Sequence, residues 1–188
     1  MARVTRRELM NLLGALGVVA TFAGLVLGLP AIDRALPAER PVRADEPYPV
    51  GAGVTVIPPV GSTLDVTGTR PGDSAGTALF HLGAVQYKIA VRPYDGDLGS
   101  AGQRLRKRIT DTPGYQVTGP QLQVDTAGGL IGLQGGYTAP GRGGRYAVFV
   151  SDGLTIEVTI SGADLDLGRT LPQIEASTRT LRTDGRAP

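Results

Sequence analysis

The chain has 188 residues, with 19 Lys+Arg against 17 Asp+Glu and no cysteine. The missing thiols exclude a disulfide framework, a thiolate metal centre, a cysteine nucleophile and a lipid-modified cysteine anchor. From Tyr48 onward, 13 basic side chains stand against 12 acidic ones, too even a balance for the basic field that nucleic-acid binding requires.

Residues 1–8 carry Arg3, Arg6 and Arg7 and lead into 24 consecutive uncharged positions, Leu9 to Ile32. As a helix this run is roughly 36 Å long, enough to cross a hydrocarbon core of about 30 Å with some tilt. It predicts one transmembrane helix over 9–32. Flanking arginines stay on the cytoplasmic side, which places everything after Asp33 outside the plasma membrane. A cleaved signal peptide is the competing reading, with Val42-Arg43-Ala44 as a processing site. Its apolar region usually spans only about 7–15 residues. Gly24 and Gly28 form a GxxxG pair, a candidate for close approach to another membrane helix.

Residues 33–52 read as a tether, because Pro37, Pro41, Pro47 and Pro49 interrupt any helix and the charges alternate in sign. From residue 53 the pattern turns to period 2, and an extracytoplasmic domain is expected over 53–183, followed by a tail at 184–188. Short strands are predicted at Val54–Ile57, Thr63–Thr67 and Thr77–Leu82, with a turn at Arg70-Pro71-Gly72-Asp73. Residues 84–92 alternate cleanly, with Val85, Tyr87, Ile89 and Val91 on one face. A helix follows, opened by a capping box of Ser100 and Gln103, with Leu98, Ala101, Leu105 and Ile109 on one side and Pro113-Gly114 as its stop.

Tyr115–Val124 and Leu130–Tyr137 are the next strands. The hairpin at 145–161 carries the strongest signal: both flanks of Asp152-Gly153 alternate, and that pair supplies the positive φ of a two-residue turn. Gly128-Gly129, Gly135-Gly136 and Gly143-Gly144 read as turns. A last helix is predicted from about Thr170, with Pro172 in its first turn and Leu171, Ile174, Thr178 and Leu181 as its buried stripe. The sum is an α+β domain: a mostly antiparallel sheet with helices packed on it.

Several of these segments carry a resemblance. Val54-Thr55-Val56-Ile57-Pro58-Pro59-Val60-Gly61, the Ser100 helix, the hairpin tip Phe149-Val150-Ser151-Asp152-Gly153 and the closing helix follow the order of PsbP-like domains of actinobacterial envelope proteins (LpqN-type). The resemblance covers nearly the whole outer domain. It implies an α-β-α sandwich without catalytic residues, acting as an accessory or binding module for envelope machinery. In that family a Trp often follows the glycine of the Pro-Pro motif; here Ser62 stands there.

Candidate chemistry is sparse. His81 is the single histidine, and a Ser-His-Asp site would need it as the base; a strand-end residue without a chemical role is the better reading. Asp95/Asp97 and Asp164/Asp166 could meet a hard cation but lack the ligand number of a calcium loop, so turn-making and capping explain them better. No cofactor motif is present. Pro140–Arg145 is a Gly-rich loop with Arg142 and Arg145, able in principle to receive a phosphate or sulfate, although it lacks the Lys-Ser/Thr of a P-loop. Arg104 and Arg108 lie four apart on the first helix and are candidates for anionic lipid or an acidic partner.

The expected function is that of a single-pass, non-enzymatic accessory or interaction module of a bacterial cell envelope, partnered with other envelope membrane proteins. The other reading is a carrier or sensor holding an apolar or lipidic ligand between sheet and helices.

Overall fold

The computed structural model describes residues 38–43 and 45–184. The predicted membrane run, with Gly24 and Gly28, and the tail after Asp184 lie outside them. No helix among the described residues is long and apolar enough to cross a membrane.

The folded unit begins at Glu39. Eleven strands are β1 (Glu39–Pro41), β2 (Tyr48–Gly51), β3 (Val54–Val56), β4 (Thr63–Asp65), β5 (Gly76–Leu82), β6 (Val85–Pro93), β7 (Gln116–Asp125), β8 (Ile131–Ala139), β9 (Arg142–Ser151), β10 (Leu154–Gly162) and β11 (Arg182–Thr183). Among the described residues two helices join them: α1 (Leu98–Thr110) between β6 and β7, and α2 (Asp164–Arg179) after β10. Eight strands form one antiparallel sheet in the order β1-β4-β5-β6-β10-β9-β8-β7, and three form a second in the order β11-β3-β2.

Alternation along the strands sends side chains to two faces. One face carries Phe80, Tyr87, Ile89, Val91, Phe149, Ile156, Val158 and Ile160, which pack with Val50, Val54 and Val56 of the small sheet and Ile174 of α2. Tyr48 meets Phe80 edge-on at 5.4 Å and so ties the two sheets together. The other face buries Tyr137, Tyr146 and Val148 under Ala101, Leu105 and Ile109 of α1. This is the expected α+β arrangement, with helices on both sides of an antiparallel sheet. The α1 stripe and the Asp152-Gly153 turn, at φ 51° and 72°, are as the sequence predicts.

Four expectations are corrected. Part of the tether at 33–52 is folded: β1 pairs with β4, and β2 pairs with β3. Their prolines, Pro41 and Pro49, sit in strands at the margins of the two sheets, where a missing N–H costs least. Helix α1 starts a turn earlier than the Ser100 box implies. Asp97 is its cap, its Oδ1 accepting from the Ser100 N–H at 2.9 Å and its Oδ2 from the Ser100 hydroxyl at 2.7 Å. Helix α2 begins at Asp164, so Pro172 lies inside it. Asp164 and Asp166 suit the positive end of the helix dipole, and Leu167 and Leu171 pack on the core, which offsets the one backbone bond the proline omits.

The fourth correction concerns glycines. Gly135-Gly136 and Gly143-Gly144 are not turns but lie within β8 and β9. Gly135 pairs with Tyr146, Gly144 with Tyr137 and Gly132 with Phe149. In each pair the ring lies over the glycine, and an added Cβ would overlap it. Cross-strand aromatics fill the space that the glycines leave, a recognised way to hold and curve a sheet.

Tyr87 is fully buried, and its hydroxyl contacts Thr178 Oγ1 of α2 at 3.1 Å. Burial pushes its hydroxyl up to about 12 from an ordinary value of 10. A raised value means that the folded state holds its proton longer than the unfolded chain does. The stabilisation is therefore complete below about pH 10 and is lost as the pH rises toward 12. We expect about 2 kcal/mol of stability to disappear across that interval, and a Tyr87→Phe variant to lose less across it. Denaturant titrations at pH 9 and at pH 11.5 measure this; equal slopes with pH for the two proteins would remove Tyr87 as the cause.

Candidate functional site

The strand register assembles a concave region on the α1 face, where α1 covers β7, β8 and β9 but leaves β6 and part of β10 open. On β6, Lys88, Ala90 and Arg92 occupy successive positions of this face and pair with Thr159, Glu157 and Thr155 of β10. Ala90 is the small residue between two long cations, and so makes a floor instead of a ridge. Leu105, Arg108, Ile109 and Thr112 of the helical side form one wall, and Tyr115 and Tyr137 another, enclosing an open basin of about 450 Å³. The two tyrosine rings stack with centroids 5.8 Å apart. Burial raises the Tyr137 hydroxyl above its ordinary value. That hydroxyl donates to the Ile160 carbonyl at 2.9 Å.

The charge in the basin is partly used. Glu157 is almost wholly buried, and its two oxygens accept from Nη1 and Nη2 of Arg108 at 2.5 and 3.1 Å. This forked geometry is the strongest form of such a pair. Lys88 and Arg92 are exposed and have no ion-pair partner among the described residues. Next to Arg92, Thr155 is 6% exposed, and its hydroxyl lacks a hydrogen-bond partner among the described residues.

The structure separates the candidate arginines. Arg108 is committed to Glu157, and Arg104 lies 4.9 Å over the Tyr94 ring, so the two do not form a free basic pair. Arg142 and Arg145, three positions apart on β9, project to opposite faces. Pro140-Gly141 is the tip of the β8–β9 hairpin, with Gly141 at φ 70°. Arg145 approaches Glu175 of α2 at 3.8 Å. The doubly basic loop therefore does not converge on one anion. Lys88 and Arg92 escaped the sequence reading because each is an ordinary outward residue of an alternating strand; only the register that sets Ala90 beside Glu157 makes them neighbours of a basin.

His81 has a structural task. Its Nδ1 lies 3.0 Å from Glu39 Oε1, and its Nε2 lies 3.9 Å from Asp65 Oδ2. Thr63 donates to the other Glu39 oxygen at 2.7 Å. The hydrogen bond from His81, then that from Thr63, hold the Glu39 carboxyl below its usual range. The histidine thus fastens the first strand to the sheet, and no serine is among its hydrogen-bond partners in the described residues. No group of three His, Asp or Glu side chains able to hold a metal occurs among the described residues. Between α2 and the sheet, a cavity bounded by Val124, Ala147, Phe149 and Thr178 measures about 50 Å³, room for a few water molecules and not for an acyl chain.

No protein-family model matches the chain, and no curated protein matches it. Solved structures do. The solution structure of cyanobacterial PsbP (CyanoP) from Synechocystis sp. PCC 6803 aligns over 79% of this chain and 94% of its own, with 14% identity and a TM-score of 0.51. LpqN of Mycobacterium tuberculosis, described as involved in cell envelope biogenesis, aligns over 77% and 89%, with 15% identity and a TM-score of 0.37. The chain has a PsbP-like fold.

Proposed function

We propose that this chain is a membrane-anchored, extracytoplasmic accessory module of a bacterial cell envelope that works by contact with other envelope membrane proteins and performs no catalysis itself. The observation that carries this reading is the 24-residue uncharged run behind Arg3, Arg6 and Arg7. It precedes a folded unit that starts at Glu39. A positive flank and a spanning run set orientation, and orientation sets the compartment. The PsbP-like fold agrees with a module of this kind. Three polar residues have structural tasks: Asp97 caps α1, His81 fastens β1, and Arg108 neutralises Glu157.

Protease added to spheroplasts tests the topology. The expected result is digestion of the domain while the membrane stays intact, with a short fragment left in the membrane fraction. Full protection of the domain would place it in the cytoplasm and end this reading. Crosslinking in the same cells should capture envelope membrane proteins, and replacing residues 9–32 by a cleavable signal peptide should abolish the capture.

A further inference from the structure

We propose that the basin over Ala90 is a binding site for an organic phosphomonoester with an apolar or planar body. This site lies wholly within the folded unit and is independent of the anchoring and orientation of the chain. Three cations line the basin, Lys88, Arg92 and Arg108, against one carboxylate, Glu157. Glu157 has both oxygens occupied by the Arg108 fork. What remains is a field of two positive charges from Lys88 and Arg92, set on either side of a floor made by Ala90.

That surplus matches a phosphomonoester, which carries about −1.5 to −2 at neutral pH. Guanidinium and ammonium groups are the usual receivers of such a group. The remaining walls are not charged. Leu105, Ile109, Tyr115 and Tyr137 offer aliphatic and ring surface, suited to the body of the ligand instead of its phosphate. At about 450 Å³ the space lies within the range of small-molecule sites. Two sources share this chemistry: a soluble phosphomonoester and the headgroup of phosphatidic acid.

The test is calorimetric titration of the full-length chain in detergent micelles with phenyl phosphate, and separately with dihexanoyl phosphatidic acid. Phenyl phosphate should bind. Its affinity should fall at least about tenfold in Lys88→Gln with Arg92→Gln, two exposed positions whose replacement leaves the core intact. Inorganic phosphate should bind more weakly than phenyl phosphate, because it cannot use the tyrosine wall. Arg169→Gln, an exposed arginine on α2 across the sheet, should leave binding unchanged. Phosphatidic acid binding that disappears in the double variant assigns the ligand to the membrane; phenyl phosphate binding without it assigns a soluble ligand. The proposal is overturned if neither probe binds, or if Arg169→Gln weakens phenyl phosphate as much as the double variant does. A failed topology experiment would leave these titrations unaffected, so the two readings fall separately.

Discussion

Gly135→Val should destabilise the domain by about 3–4 kcal/mol, the largest loss we expect from a single glycine replacement in the sheet. Gly135 of β8 faces Tyr146 of β9, and an added Cβ would overlap the Tyr146 ring and hydroxyl. Tyr146 is 1% exposed, so the ring has nowhere to go without disturbing α1 above it. Over-packing a well-filled core usually costs about 1–3 kcal/mol, and a branched side chain under a fixed ring belongs at or above the top of that range. Valine is otherwise favoured in strands, so intrinsic propensity acts in the opposite direction. Urea denaturation of the single variants and of the double variant with Tyr146→Ala measures the coupling. With the ring gone, valine has room, and the double variant should be no less stable than Tyr146→Ala alone. Strict additivity of the two losses would show that the ring is not the obstacle.

Arg108→Ala should cost about 3 kcal/mol. The side chain of Glu157 is 9% exposed, between Ala90 and Val148 on the neighbouring strands. Removing the guanidinium leaves a nearly buried carboxylate without the fork that holds both its oxygens. Breaking a buried pair from one side costs about 3–5 kcal/mol, and the lower end applies because about half of the Arg108 side chain is in solvent. Replacing both partners should be far milder. Arg108→Ala with Glu157→Leu removes the orphaned charge together with its partner and should recover most of the loss, since apolar replacement of a buried pair is often neutral or better. If Arg108→Ala alone leaves stability within about 0.5 kcal/mol of the parent, the pair behaves like an exposed one and the burial argument is wrong.

These two variants also mark where sequence reasoning reached its limit. The alternation of Val85, Tyr87, Ile89 and Val91, and the Asp152-Gly153 pair between two alternating runs, are local signals, and the strands and turn they predict are present. The stripe Ala101, Leu105 and Ile109 is local as well, and it is buried as its spacing requires. Gly135-Gly136 and Gly143-Gly144 gave a false turn signal. A glycine pair reads as a turn whenever the chain around it is considered alone. Its role in a strand depends on a ring that arrives from the next strand, Tyr146 over Gly135 and Tyr137 over Gly144. Prolines misled in the same way at 39–51, because a margin position in a sheet is defined by which neighbour is missing.

The candidate site shows the same division. Arg108 was visible as a helical arginine, yet its partner Glu157 lies 49 residues away. Neither residue's spacing announces the other. Lys88 and Arg92 were visible only as the polar half of an alternating strand. The pairing of β6 with β10 sets Ala90 against Glu157, and the placement of α1 decides that this stretch stays open while β8 and β9 are covered.

The amino-acid sequence by itself determined the composition of the chain, the uncharged run at 9–32, the period-2 strands, the α1 stripe and the hairpin, because each depends on residues within a few positions of one another. Tertiary structure alone decided the start of the domain at Glu39, the use of glycines under aromatic rings, the burial of Glu157 against Arg108 and the basin beside it. Those features depend on register and on which helix covers which strands, and both arise only when residues distant in the chain share one close-packed interior.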